Sequence, residues 1–176
     1  MSELLTIYSD DFPMLKQVMP EYVGELPNEE MTEIVQAMKR TMIAHGGVGL
    51  AANQCGIEKR VFIMGVGDPQ DENIVALINP KIIGNSGLGE KFNEGCLSSP
   101  GLFIPIKRPS TIAIEYTDEL GQIQQKKITG LTSRIFQHEL DHLNGIRMQD
   151  KVSQLVLAMA IKKRKKLIRQ FNLKAA

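Results

Sequence analysis

Met31, Ile34, Val35, Met38 and Met42 recur at three- and four-residue spacing along a mostly polar stretch, the pattern of a helix with one buried face. Asn28 stands where an N-cap belongs, and Glu29 and Glu30 fill the first turn, where the helix dipole favours acids. Gly46 and Gly47 then end the run. Residues 60–66 (RVFIMGV) and 75–79 (VALIN) are short apolar runs that read as strands. Residues 111–117 (TIAIEYT) and 122–129 (QIQQKKIT) alternate in part and flank Asp118-Glu119-Leu120-Gly121, a hairpin turn. Thr132 or Ser133 is the expected cap of a second helix running to about Asn144 and closed by Gly145. A third helix is expected from near Ser153 to about Phe171. Helices at both ends with strands between predict an α+β fold: mixed or antiparallel strands packed around the second helix, in one domain spanning 1–176.

Composition narrows the class. Hydrophobic residues make up 43% of the chain, too many for a disordered protein. The longest apolar stretches, near 60–66 and 155–161, are too short to span a bilayer, so no membrane partner is expected. The N-terminal MSELLTIYSDD has early acids and no basic-then-apolar run, which argues against a signal peptide. With two cysteines, Cys55 and Cys96, and no export signal, the expectation is reduced thiols in the cytoplasm. The net charge of +1 hides a split: seven of the 21 basic side chains fall in residues 162–174, which hold no acid. The other 14 face all 20 acids. So basic a segment suggests an anionic partner.

Candidate chemistry centres on His138-Glu139-Leu140-Asp141-His142. Residues four apart on a helix share a face, so the two imidazoles can grip one cation while Glu139 projects where a bound water would sit. A third protein ligand must be found. Downstream of His142 the only acid is Asp150, too near to lie on a second helix folded back. The extended H-E-x-x-H-x-x-G-x-x-H pattern keeps Gly145 but ends on Met148. Upstream, His45, Cys55 and Cys96 remain. His45 fits a solvated helix terminus and Cys55 a small buried hydrophobe. Cys96, in a loop between turn formers, is the best placed of the three, although spacing alone does not decide.

Three segments resemble the peptide deformylase family. Gly47-Val48-Gly49-Leu50-Ala51-Ala52-Asn53-Gln54 is similar to its G-x-G-L-A-A-x-Q motif, Glu94-Gly95-Cys96-Leu97-Ser98 to E-G-C-L-S, and Gln137-His138-Glu139-Leu140-Asp141-His142-Leu143 to Q-H-E-x-D-H-L. They occur in the family's order, and the resemblance spans roughly 6–150. It implies one divalent metal on Cys96, His138 and His142, Fe²⁺ first, with Zn²⁺, Ni²⁺ or Co²⁺ as alternatives. It implies removal of the formyl group from nascent N-formylmethionyl peptides, with Glu139 as general base and Gln54 and the Leu97 N–H as oxyanion donors. Val48, Gly49, Leu131 and Ile135 would bind the methionine, although ordinary core packing fits Val48, Leu131 and Ile135 equally well. Glu94 and Arg108 would brace the cysteine loop, and Asp141 would orient a ligand histidine, although a solvated helix acid fits it equally well. Ser99 departs from the larger apolar residue usual before Pro100, which puts the apolar rim of the groove in question.

Two rival patterns remain. Residues 47–52 also fit G-x-G-x-x-A, but a dinucleotide fingerprint follows a strand and opens a helix, and this one follows a helix. No dinucleotide is expected. The basic tail fits a nucleic-acid- or ribosome-binding module or, alternatively, a solvated helix with Leu167, Ile168 and Phe171 packed on the body. A peptidase built on H-E-x-x-H is the other enzymatic alternative.

Overall fold

The computed structural model describes residues 4–66 and 73–175, with side chains described to residue 170. Helix α1 spans Glu29–Ala44, and the Asn28 side chain accepts from the Met31 N–H at 2.8 Å as its cap. At its end Gly46 turns at φ +64, so that its N–H reaches Ile43 O and that of Gly47 reaches Met42 O. This paired closure satisfies two terminal carbonyls and aims the chain into β1, Gly49–Ala51.

Five strands form one sheet in the order β1-β2-β3-β4-β5, each antiparallel to its neighbour. The expected choice between mixed and antiparallel is thereby settled. The apolar run at 60–66 becomes β2, Val61–Gly65, and its alternation explains the layering. Val61 and Ile63 pack with Met31, Val35, Met38 and Met42 of α1. Phe62 and Met64 face the other way, onto Phe136, Leu140 and Leu143. This part of the sheet is therefore covered by α1 on one face and by α2, Gly130–Leu143, on the other. Phe62 and Phe136 meet edge to face at 5.2 Å.

The strand expectations at 75–79 and 111–117 were too short. β3 runs Ile74–Glu94 and β4 runs Ile104–Thr117, paired along most of their length. Much of the missed segment, Lys81–Asn93, is exposed and glycine-rich, so it lacks the apolar pattern that marks a strand. Register shifts between Ile78/Lys81, Ile82/Gly84 and Ser86/Gly89 let the pair bend, as bulges do. β5 is Ile123–Thr129, and the hairpin turn falls as expected, with Asp118 N–H on Gln122 O and Gly121 N–H on Asp118 O.

The N-cap of α2 is Thr129, three residues before Thr132 and four before Ser133, and Ser133 is a buried tether instead: its hydroxyl donates to Pro109 O at 3.3 Å. At the other end Gly145, at φ +71, closes α2 as expected, with Gly145 N–H on His142 O and Ile146 N–H on Asp141 O. Helix α3 spans Gln154–Ala175. Leu157 and Ala160 pack with Leu102, Ile104, Ile106 and Met148, and the partly buried Cys96 joins the same cluster. Leu167 and Ile168 are each 48% exposed, so the alternative in which they pack on the body is not supported; the Phe171 side chain lies outside the described residues.

Candidate metal centre

Three segments converge on one face of α2. β3 ends at Glu94, and two residues later Cys96 begins a turn closed by Ser99 N–H on Cys96 O. The ligating atoms of Cys96, His138 and His142 lie within 4.8 Å of one another, and Cys96 Sγ is 3.2 Å from His142 Nε2. The other two candidates are outside this cluster, although His45 lines the cavity beside it. His45 is exposed at the end of α1, its Nδ1 bonded to Thr41 O. Cys55 is buried in the α1 cluster, and burial pushes its thiol up to about 12.

The surroundings suit a cation. Burial opposes charge on His138, yet bonds to Cys96 and Glu94 and the nearby Glu139 charge raise its pKa to about 10. The negative groups around it favour a positive charge at this place, which a divalent ion would supply in exchange for the His138 proton. Burial, with the positive charges of His138 and Arg108, holds His142 well below its ordinary value, in the neutral form that ligates metals. His138 Nδ1 sits 3.0 Å from Glu94 Oε2, which leaves Nε2 for a metal, as a carboxylate behind a ligand histidine usually does. A cysteine sulfur and two imidazole nitrogens this close together are a donor set that can hold a divalent ion.

Glu94 is held in place by three partners. The Arg108 fork donates to it at 2.6 and 2.8 Å, and Arg134 Nη1 donates at 2.7 Å. Burial would raise its pKa, but the bonds from His138 and Arg108 hold it at about 2. Arg108 reaches Asp141 Oδ2 at 2.7 Å, and Lys151 also pairs with Asp141. Asp141 thus anchors the arginine, and among the described residues its side-chain partners are Arg108 and Lys151, not a histidine.

Gln54 lies in a 3-10 turn, Ala52–Cys55, directly after β1. Its Oε1 accepts from Ala51 N–H at 2.8 Å, so Nε2 must point inward, 3.1 Å from Ser98 Oγ and 3.4 Å from Cys96 Sγ. Asn53 beside it donates to His142 O at 2.6 Å and ties that turn to α2. Residues 47–52 therefore follow α1 and lead through β1, where a dinucleotide fingerprint would open a helix.

A cavity of about 580 Å³ opens over these groups, with Gln54, Cys96, His138 and Glu139 in its lining. Glu139 is 5% exposed, its Oε2 is buried with no hydrogen-bond partner among the described residues, and burial pushes its carboxyl up to about 7. Val48, Gly49, Leu131 and Ile135 all line the cavity. Val48 and Leu131 are 51% and 62% exposed, which rules out core packing for them; Ile135 is buried. Ser99 does not reach the rim. It is 3% exposed and its hydroxyl accepts from Gln149 at 3.3 Å, while Leu97, Pro100 and Phe103 keep the rim apolar. Sequence reasoning missed Phe103, Asn53 and Arg134. Arg134 carried a usable signal, since it precedes His138 by one helical turn.

Residues 4–157 match the family model described as polypeptide deformylase. A peptide deformylase of Synechococcus sp. (strain RCC307) is 41% identical over 128 residues, 72% of this chain and 63% of that protein. The peptide deformylase of Thermotoga maritima is 40% identical over 126 residues, 72% of this chain and 74% of its own length. The match thus spans less than two thirds of the cyanobacterial relative's length. Among solved structures, the chain superposes on a peptide deformylase from Synechococcus elongatus in complex with actinonin with a TM-score of 0.84 at 33% identity, over 94% of this chain and 88% of that one.

Proposed function

The chain belongs to the peptide deformylase family, and from that premise we propose that it removes the N-formyl group from nascent formylmethionyl polypeptides, releasing formate. One observation carries the reading: Cys96, His138 and His142 come together beneath an apolar cavity beside a buried, unpartnered Glu139. These three residues would hold one divalent ion, Fe²⁺ first and Zn²⁺, Ni²⁺ or Co²⁺ as alternatives. Such an ion would acidify a water and polarise the formyl oxygen.

The remaining work falls to the chain. Val48, Gly49, Leu131 and Ile135 receive the methionine side chain and exclude water from it. Glu139 takes the proton of the attacking water, and its value near 7 makes it both an adequate base and a ready acid. As oxygen bonds to the formyl carbon, the developing negative charge meets the Gln54 amide and the Leu97 N–H. The Ala51 and Ser98 bonds already orient that amide, so little reorganisation is needed at the moment of reaction. The C–N bond then breaks, Glu139 returns the proton to the leaving amine, and formate departs. Glu94 and Arg108 support the ligands without touching substrate.

We further propose a cytoplasmic setting and a ribosome contact through α3. Lys162, Lys163, Lys165, Lys166 and Arg169 are exposed, which supports an anionic surface as the partner. No helix among the described residues is long and apolar enough to cross a membrane.

Formate release from formyl-Met-Ala peptides after anaerobic reconstitution with Fe²⁺, Co²⁺ or Ni²⁺ tests the main reading. Release that disappears in Glu139→Ala, while metal content holds, is the expected result. Casein cleavage without formate release would favour a peptidase instead.

A further inference from the structure

We propose that Arg134 is a positioning residue that fixes the distance between the cysteine and histidine ligands. The histidines ride on α2, and Cys96 is delivered by the end of β3, so the ligand set holds only if strand and helix keep a fixed spacing. Arg134 lies on α2 one turn before His138 and reaches across to the strand. Its Nη2 donates to Glu90 O at 2.8 Å, and its Nη1 to Glu94 Oε1 at 2.7 Å and to Ile106 O of β4 at 3.1 Å. The guanidinium also sits 5.4 Å over the Phe92 ring. Glu90, Phe92 and Glu94 are alternate residues of β3, so one arginine grips three successive positions on one face of the strand. Glu94 in turn holds His138 Nδ1.

Arg108 differs in kind. At 3% exposed it already supplies Glu94 with a paired charge through its fork. Losing Arg134 therefore leaves no buried carboxylate unpaired. What disappears is the tether to two backbone carbonyls, which a planar guanidinium can hold together and an ammonium cannot.

The proposal rests on Cys96, His138 and His142 being the ligands, and Co²⁺ binding tests it apart from turnover. In Arg134→Met, which keeps the apolar stem, Co²⁺ affinity measured against a chromophoric chelator should fall roughly 10- to 100-fold. The thiolate-to-cobalt absorption band should shift or weaken, with an unchanged circular dichroism spectrum. Arg134→Lys should fall between Arg134→Met and the parent. Arg134 also lines the cavity, so a role as substrate wall alone predicts a raised KM with Co²⁺ affinity within twofold and the band unchanged; that result overturns the proposal. Should the methionine variant fail to fold, parent-like Co²⁺ binding by the lysine variant overturns it equally. A parent that binds Co²⁺ yet releases no formate sinks the deformylase reading and leaves this one standing.

Discussion

A methyl group built on Gly49 would sit 2.5 Å from Glu139 Oε1, so a single missing carbon is what lets the carboxylate lie against β1. Gly49→Ala requires no unusual backbone, and its largest effect should fall on the proposed base. A misplacement near 1 Å costs on the order of 10²-fold in rate. We expect kcat to fall by about that factor in Gly49→Ala while bound metal changes little; steady-state kinetics with metal analysis checks this. Cys55 makes a separate prediction. Its folded value of about 12 lies above the 9.0 of an unfolded thiol, so the folded state keeps its proton longer. That stability contribution is complete below about pH 9 and is lost as pH rises toward 12. Urea unfolding between pH 8 and 10.5 should show an alkaline loss that Cys55→Ala makes shallower; an identical slope in the two proteins would refute it. The two cysteines were separable in sequence only by their loops, because burial depends on which helix later packs over Cys55.

At the scale of elements, α3 is attached by a narrow stripe. Ala160 is buried, Leu157 and Arg164 are partly so, and Leu155, Met159, Leu167 and Ile168 are exposed. The lysines can therefore be changed without disturbing the contact to the Cys96 cluster. Replacing Lys162, Lys163, Lys165 and Lys166 by Ala should weaken ribosome binding and reduce its log–log salt dependence by roughly three. Formate release from free peptides should stay within twofold. Co-sedimentation across a salt series measures this, and unchanged binding would remove α3 as the contact. The same elements show where the sequence was legible. α1, the 118–121 turn and the end of α2 were readable because caps, acids and glycines act locally. The outer halves of β3 and β4 were not, because their pairing is satisfied between two distant segments while their side chains face solvent. The start of α2 was misjudged for a related reason: Ser133 had a tertiary partner in Pro109 that outweighed its tendency to cap.

Across the whole molecule, the proposed ligand set joins parts of the chain 42 residues apart, one just after β3 and two on α2. H-E-x-x-H was visible as a local spacing; the partner cysteine became visible only through a second motif, and the Arg134 tether only through the packed structure. A metal held this way exists only in the folded chain, since unfolding separates Cys96 from both histidines. It should therefore stabilise the fold by mass action, about 4 kcal/mol at a free concentration a thousandfold above Kd. For a chain of this length that corresponds to a Tm rise of roughly 10 °C. Anaerobic calorimetry of chelator-stripped protein with and without Co²⁺ should show that rise. Cys96→Ala should lose most of it, because two histidines four residues apart sit on one helical turn and bridge no distant segments. A full rise in Cys96→Ala would mean that α2 alone binds the ion and that the cysteine loop is no part of the site.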